Sequence, residues 1–348
     1  MSRPAAARRL AALLAAVAGL VIVGAAPASA HAGGPEPSDW RAVVDSMAPA
    51  MPGVDFRLVD LGEQVELANR SGVPVTVLGY DGEPYLRISP EGVEQNERSA
   101  ATYLNRTRDS RSAVPDTALD PAAPPRWRRV SASPTWRWHD HRTHWMEAEL
   151  PPSVLDGPGG TVEVSRYQLD FRYGEVPVAV TGRLLWVEPP APWPWVAGAV
   201  VLLGAGIAVG GLRRWRLAVG ILLAALVAVD MAHTVADRAV AGALPSIAGW
   251  ALGGLTVAGL LRGARWSPYT LAMTGAVLAV VDGLGDVTVL AHSQLPGAGP
   301  AWLARLAATV AIGLGTGLLA AGWQVWRREH PLPVAPSAGE PAAPAPAP

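Results

Sequence analysis

The sequence contains no cysteine and no lysine, since all 28 of its basic residues are arginine. Without cysteine the chain has no disulfide bonds, no thiolate metal sites and no cysteine nucleophile. The missing lysine excludes Schiff-base chemistry and a P-loop. Charge is also scarce, because charged residues make up 16% of the 348 residues, against about a quarter in soluble domains. The net charge of -1 shows no basic excess, so we expect no nucleic-acid partner.

Residues 1–30 have the pattern of a secretory signal peptide. Three arginines precede an apolar run at residues 10–25, and the small-x-small triplet at 28–30 fits a signal peptidase site. Cleavage there would make His31 the mature N-terminus. An uncleaved anchor helix is the alternative, although the apolar run is short for a membrane span.

Residues 31–190 are predicted to form an extracytoplasmic β-rich domain, folded as a β-sandwich. Short alternating or β-branched runs are separated by turns that contain glycine, which favours two packed sheets. The predicted strands are residues 54–60, 64–68, 73–78, 161–165, 167–173 and 176–187. Residues 91–125 are rich in Arg, Ser, Asn and Pro and weak in periodicity, so we expect a long excursion over the sheet.

Residues 191–326 are strongly apolar and are predicted to form a transmembrane bundle of five helices in the lipid bilayer. Each apolar stretch is near the roughly 20 residues that span a bilayer. The predicted spans are residues 195–212, 217–235, 244–261, 269–290 and 303–323. The bias toward Ala, Gly, Pro and Arg is typical of a GC-rich bacterial genome, so the expected location is a bacterial inner membrane.

Arginine positions predict the orientation of this bundle, because cytoplasmic loops carry an excess of positive charge. Clusters follow the first, third and fifth spans, and they comprise Arg213, Arg214, Arg216, Arg262, Arg265, Arg327 and Arg328. The N-terminal domain is therefore expected outside and the C-terminus in the cytoplasm, as the signal peptide also requires. Residues 327–348 are predicted to be a disordered cytoplasmic tail.

Three of the seven histidines lie in residues 136–145, here called the histidine segment. On a strand His139 and His141 would share a face, and His144 could join them after a turn. Imidazole suits Cu(II) or Zn(II), and a mature N-terminal His31 would add an amine and a ring nitrogen. A metal site of His31 with two of the other three is one interpretation. The other is a structural strand whose histidines bond to carboxylates and backbone.

Ionisable residues also occur inside the predicted spans. Asp230 and His233 lie three residues apart in the second span, and Asp282 and Asp286 lie four apart in the fourth, so each pair shares a helical face. Such residues are costly in a membrane and mark ion pathways, proton relays or pairing partners. In a purely structural interpretation Asp286 pairs with Arg305 of the fifth span and Asp230 with His233.

Sequence patterns of several common catalytic sites are missing from the chain. There is no Gly-x-Ser-x-Gly elbow, Walker loop, Rossmann fingerprint or His-Glu-x-x-His zinc helix. No nucleophile–base or acid–base set can be assembled from the pattern, so we expect no enzyme activity.

The layout resembles that of bacterial CopC/CopD-type copper proteins: a mature His31 after Ala28-Ser29-Ala30, a β-rich exported domain and a multi-pass bundle. The stretch 177–184 is similar to the final strands of CopC-like domains. The family's Asp-Gly-His is replaced here by Tyr173-Gly174-Glu175-Val176. The chain also resembles a group of actinobacterial exported membrane proteins that carry a Trp-His-Asp-His-Arg-x-His-Trp signature. The first resemblance implies an immunoglobulin-like or CopC-like sandwich with a Cu(II) site at His31.

Two functions remain open at this point. The favoured one is copper binding or handling outside the cytoplasm through His31, His139, His141 and His144. The alternative is a non-catalytic envelope scaffold or sensor whose sandwich recognises a protein or cell-wall partner. The sequence does not determine the oligomeric state.

Overall fold

A computed structural model describes residues 36–108, 112–157, 159–237 and 244–330. These residues form two compact units. The β unit takes in the chain up to Ala191 together with Thr288–Ala301, and the helical unit takes in Pro192–Val287 and the chain from Trp302 onward. The predicted signal peptide, His31 and the tail beyond residue 330 lie outside the described residues.

Ten strands build the β unit. They are β1 (Trp40–Ala48), β2 (Val54–Val59), β3 (Gln64–Asn69), β4 (Val75–Leu78), β5 (Pro84–Ser89), β6 (Gly92–Asn96), β7 (Trp127–Ser131), β8 (Thr135–His139), β9 (Thr161–Tyr173) and β10 (Val176–Val187). Seven form one antiparallel sheet in the order β1-β10-β9-β4-β5-β6-β7, and three form a second in the order β2-β3-β8. The predicted β-rich domain is confirmed, and the structure shows that its strands pair antiparallel.

Both sheets bury side chains in one hydrophobic core. Leu67 of β3 and Trp138 of β8 come from the small sheet, while Leu86, Leu169 and Val180 come from the large one. Burial of such apolar side chains is the main stabilising contribution to a domain of this kind. The core therefore holds the two sheets together without disulfide bonds.

The longest hairpin shows how the sequence pattern produces a strand. Tyr167, Leu169 and Phe171 of β9 alternate with more exposed residues, so one face of the strand is buried. The predicted strands 161–165 and 167–173 are joined in this single strand. Tyr173 pairs with Val176 across a two-residue turn, which places Gly174 at a φ of +59°. Glycine adopts that conformation readily, as tight hairpin turns require.

The predicted excursion at residues 91–125 is partly wrong, because it contains ordered elements. These are β6, a short helix α1 (Ala101–Leu104) and a 3₁₀ turn at Asp116–Ala118. Asn96 organises the region, since its Nδ2 donates to Pro84 O at 2.7 Å and its Oδ1 accepts from Arg126 N at 2.8 Å. Further along the chain lies a second short helix, α2 (Pro152–Leu155).

The helical unit contains α3 (Trp193–Val209), α4 (Trp215–Ala236), α5 (Leu244–Leu261), α6 (Ser267–Leu278) and α7 (Ala301–Glu329). A π-helix at Ala279–Leu284 continues α6 directly. Three stretches are long and apolar enough to cross a membrane, namely Trp215–Ala236, Ser267–Leu284 and Ala301–Glu329. The structure thus indicates a membrane protein with three candidate spans, where the sequence predicts five. Helix α7 also runs past residue 326, where the sequence predicts the tail to begin.

Glycine permits close helix crossing, as the sequence composition suggests. A Cβ atom on Gly317 of α7 would lie 2.9 Å from the Cα of Gly206 and 2.8 Å from the carbonyl oxygen of Leu203, both in α3. Small residues at such crossings let the two backbones approach each other.

Candidate functional site

The histidine segment is a strand end followed by a turn. The prediction that His139 and His141 share a strand face is wrong, because β8 ends at His139. The carbonyl oxygen of Asp140 then accepts hydrogen bonds from the backbone N–H of Thr143 at 3.0 Å and from its hydroxyl at 2.9 Å. This local bonding turns the chain away from the strand.

His139 faces strand β3 and the residue before it. Its Nδ1 lies 3.2 Å from the carbonyl oxygen of Glu63, and its Nε2 lies 3.4 Å from Nε2 of Gln64. Because a carbonyl oxygen only accepts, Nδ1 must carry the hydrogen in this contact. His139 therefore acts here as a link between two neighbouring strands.

The rings of His141 and His144 lie edge to face, with their centroids 5.5 Å apart. His141 also stacks on Tyr80, and its Nε2 lies 3.0 Å from the carbonyl oxygen of Thr107. Of the three histidines in the segment, the structure brings these two rings into direct contact.

His144 is buried between two carbonyl oxygens. Its Nδ1 lies 3.1 Å from Asp140 O, and its Nε2 lies 3.1 Å from Arg108 O. Only a protonated imidazole can donate to both. Burial nevertheless lowers the pKa of His144, and the hydrogen bond to Arg108 opposes that effect only in part. The neutral ring can donate to one of the two carbonyls at a time.

These contacts bear on the predicted metal site. Across the described ranges, no three His, Asp or Glu side chains converge as metal ligands. The nitrogens that face carbonyl oxygens act as donors there, so they would have to leave those partners to coordinate copper. His31 lies outside the described residues, and the predicted site stays a prediction.

A second group of ionisable residues lies in the helical unit. Asp230, His233, Asp237, Asp282 and Asp286 are called here the acid–histidine cluster. His233 of α4 is central to it, since its Nδ1 lies 3.4 Å from Asp237 and its Nε2 lies 3.9 Å from Asp286. One imidazole ring thus faces two carboxylates.

Helix α5 supplies hydroxyl and indole donors to this cluster. The Ser246 hydroxyl donates to Oδ1 of Asp282 at 2.6 Å, and the Trp250 indole donates to Oδ2 of Asp230. Sequence reasoning missed both donors. Their spacing of four residues on one face of an apolar span is the signal that could have found them.

Asp282 stands in the π-helix that follows α6, and its side chain is buried. The second carboxylate oxygen of Asp282, Oδ2, has no hydrogen-bond partner among the residues that the structure describes. A buried polar atom without a partner is rare and calls for an explanation.

The sequence predicts two pairings in the helical unit, Asp230 with His233 and Asp286 with Arg305. Asp230 bonds to Trp250 rather than forming the expected hydrogen bond to His233. His233 instead faces Asp237 and Asp286. Arg305 is half-buried in α7, and its predicted pairing with Asp286 stays a prediction.

Comparison of the chain with protein-family models, with curated proteins and with solved structures finds no match. The resemblance to CopC/CopD-type proteins therefore stays a prediction.

Proposed function

We propose that the chain is an inner-membrane protein of a bacterial envelope, with five spans, the β unit outside and the C-terminus in the cytoplasm. Three long apolar helices and two shorter ones support the spans. Arginines at 213–216, 262–265 and 327–328 support the orientation, as does the signal pattern at residues 1–30. For the β unit we propose an immunoglobulin-like or CopC-like sandwich, since two antiparallel sheets share one core.

The function proposed for the helical unit is proton relay through the acid–histidine cluster. The observation that carries this proposal is the buried Asp282 carboxylate, whose Oδ2 has no partner in the described chain. An ionised carboxylate is costly in apolar surroundings unless it is paired or takes up a proton. A proton on Oδ2 removes the charge, and its loss to a neighbouring group restores it.

A metal ion is the other ligand that carboxylates commonly hold, and the geometry favours it less. Hard cations require several oxygens at short distance, about six or more for Ca²⁺. No three ionisable groups meet this requirement within the described residues. The proton therefore fits the cluster better.

His233 is the proposed connecting group of the relay. Its Nε2 would accept a proton from Asp286, and its Nδ1–H would pass one to Asp237, so that the ring returns to neutrality with the hydrogen on Nε2. The 3.4 Å separation from Asp237 is within easy reach of a hydrogen bond, whereas the 3.9 Å separation from Asp286 requires a rotation of that carboxyl group. A subsequent ring flip or proton exchange resets the imidazole.

A flux measurement tests this function. The full chain is reconstituted in lipid vesicles that enclose a pH-sensitive dye, and a pH gradient is imposed across the membrane. We expect the wild type to collapse the gradient, and both Asp282→Asn and His233→Asn to slow the collapse at least tenfold. Thr274→Val is the matched control, because Thr274 forms a buried 3.1 Å contact with Thr256 between α5 and α6 but carries no titratable group.

Wild-type vesicles that hold the gradient as well as protein-free vesicles would contradict the relay and favour the envelope scaffold. Equal slowing by Thr274→Val would also contradict it, because packing alone would then explain the loss. The amount of folded protein in each vesicle preparation is measured in parallel.

Copper handling by the histidine segment is a second candidate function. The observation that favours it is the 5.5 Å separation of the His141 and His144 ring centroids, which small side-chain rotations could turn into two ligands. Calorimetric titration of the full chain with Cu(II) and Zn(II) tests it. Saturable binding that His141→Ala with His144→Ala removes would support copper, and no saturable binding would exclude it.

A further inference from the structure

A pocket of about 300 Å³ lies in the β unit, between the large sheet and the last strand of the small one. Its wall comes from β5, β6, α1 and β7 on one side and from β3 and β8 on the other. Its volume is at the lower end of the range for small-molecule sites, and it combines aromatic rings with a few polar groups, as such sites do. Of the predicted site residues, the lining shares His139 with the histidine segment.

The lining is positively charged. Arg106, Arg128 and Arg137 contribute to it, while no carboxylate from the described residues does. Arg137 is paired with Glu66, but Glu66 also pairs with Arg57, which lies 3.5 Å from Asp55 as well. The Arg137 guanidinium therefore shares its carboxylate with a second arginine.

Arg128 shares its carboxylate in the same way. Glu97 lies 3.0 Å from Arg128 and 3.1 Å from Arg126, so one acidic group faces two basic ones. A local excess of positive charge attracts an anion into a cleft of this kind.

Arg106 is the least neutralised of the three arginines. Its guanidinium carbon lies 4.6 Å from the centre of the Tyr103 ring, and no carboxylate in the described part of the chain pairs with it. The side chain is exposed at the pocket, so it can reach a ligand without rearrangement of the core. A planar guanidinium suits the two oxygens of a carboxylate.

Asn105 supplies an independent indication of a ligand. Its side chain lines the pocket and is 7% exposed, and its Oδ1 accepts the hydroxyl hydrogen of Tyr80. Its Nδ2 lies near the Tyr85 hydroxyl but has no partner in hydrogen-bonding geometry among the described residues. A buried amide donor without an acceptor costs about 1–3 kcal/mol, which an acceptor atom on a ligand would offset.

We infer that this pocket binds a carboxylate-bearing sugar. Arg106 would hold the carboxylate. After a small shift of the Asn105 side chain that exposes its buried Nδ2, this amide would donate to a hydroxyl or carbonyl oxygen of the sugar. Trp136 adds an aromatic wall, against which the apolar face of a pyranose packs, and Gln95 adds a further amide. Such a ligand is accessible to the β unit if that unit lies outside the cytoplasm, as proposed above.

Ligand titration of the full chain in detergent micelles tests the inference, with N-acetylmuramic acid as the probe. N-acetylglucosamine is the matched neutral sugar, because it lacks the carboxylate-bearing group, and inorganic phosphate is the matched anion without a sugar. We expect saturable binding of the acidic sugar and at least tenfold weaker binding of the other two, with affinity for the acidic sugar falling as salt is raised.

Two variants assign that binding to the pocket. Arg106→Gln removes an exposed charge and should weaken binding about tenfold, whereas Arg70→Gln, an exposed arginine outside the lining, should leave it unchanged. Asn105→Asp keeps an oxygen that can accept the Tyr80 hydroxyl hydrogen, but it replaces the free amide donor by an acceptor, so it should abolish binding. Circular dichroism checks that this variant folds.

Absence of saturable binding, equal binding of the neutral sugar or of phosphate, or equal effects of the two arginine variants would overturn the inference. Asp282→Asn should not change sugar binding, which separates this result from the proton relay.

Discussion

Asp140 accepts two hydrogen bonds of 2.8 Å from the guanidinium of Arg142, and the carboxylate is completely buried. The Trp138 indole donates to the same group at 3.2 Å. The charged pair thus sits directly in the turn that follows β8. It orders the histidine segment from within, independently of any metal.

Removal of one partner from this pair should strongly destabilise the β unit. Arg142→Ala leaves the buried Asp140 carboxylate without its counter-charge, and breaking a buried pair costs about 3–5 kcal/mol. Thermal or denaturant unfolding followed by tryptophan fluorescence measures the change. Arg70→Gln, the exposed control, should shift stability by less than about 0.5 kcal/mol. Equal effects of the two substitutions would contradict a structural role of the pair.

Acid should destabilise the β unit through Glu66. Burial acts to raise the pKa of this carboxyl group, but hydrogen bonds from Arg137 and Arg57 outweigh it and hold the pKa below its ordinary value of 4.5. Because the folded-state pKa is the lower one, the stabilisation is complete above about pH 4.5 and is lost as the pH falls through the folded value. Unfolding measured between pH 7 and pH 3 should show this loss, and Glu66→Gln should make the decline shallower. An unchanged slope in that variant would assign the decline to other carboxylates.

Asp39 should hold the segment Thr288–Ala301 on the β unit. Its carboxylate accepts from Ser293 N at 2.8 Å and lies 3.1 Å from Nδ1 of His292, beside a two-residue backbone bridge between Ser38 and Gln294. Asp39→Ala should speed cleavage within this segment by a nonspecific protease. Asp45→Ala in β1, which removes the pairing with Arg183, should not. Equal cleavage rates would show that the backbone bridge alone is sufficient.

A side chain larger than that of glycine should not fit at position 317, where α7 crosses α3. Gly317→Leu forces a Cβ within 2.9 Å of the Gly206 backbone, so we expect little folded protein in the membrane. Gly254→Leu is the matched control, because no described heavy atom lies within 4 Å of its added Cβ. Size-exclusion chromatography of both purified variants compares their folded yields. Similar yields would mean that the two helices do not pack as described.

Side-chain periodicity accounts for the parts of the fold that sequence predicts well. Alternation of Tyr167, Leu169 and Phe171 predicts most of β9, and the same argument applies to β10. Strand β6 is not predicted from the sequence, because the Asn96 side chain orders this region through hydrogen bonds to the backbone. Hydrophobic periodicity carries no information about such bonds. The end of β8 at His139 cannot be predicted from periodicity for the same reason, since hydrogen bonds from Thr143 to the Asp140 carbonyl oxygen define the turn.

The acid–histidine cluster is likewise only partly predictable from the sequence. Helical spacing predicts that Asp230 and His233 share one face, as do Asp282 and Asp286. Which donor meets which carboxylate depends on how the helices cross, so Trp250 and Ser246 appear only in the structure. The π-helix at Asp282 likewise has no signature in the apolar pattern. The pocket proposed to bind a sugar combines residues from six elements, so it is visible only in the folded chain.

Infrared difference spectroscopy of the reconstituted full chain between acidic and alkaline pH tests the proton relay most directly, because a carboxyl group that exchanges a proton changes its C=O stretching band. The relay predicts such a band in the wild type, its loss in Asp282→Asn and its retention in Thr274→Val. A wild-type spectrum without the band, or a band that Asp282→Asn leaves unchanged, would contradict the relay.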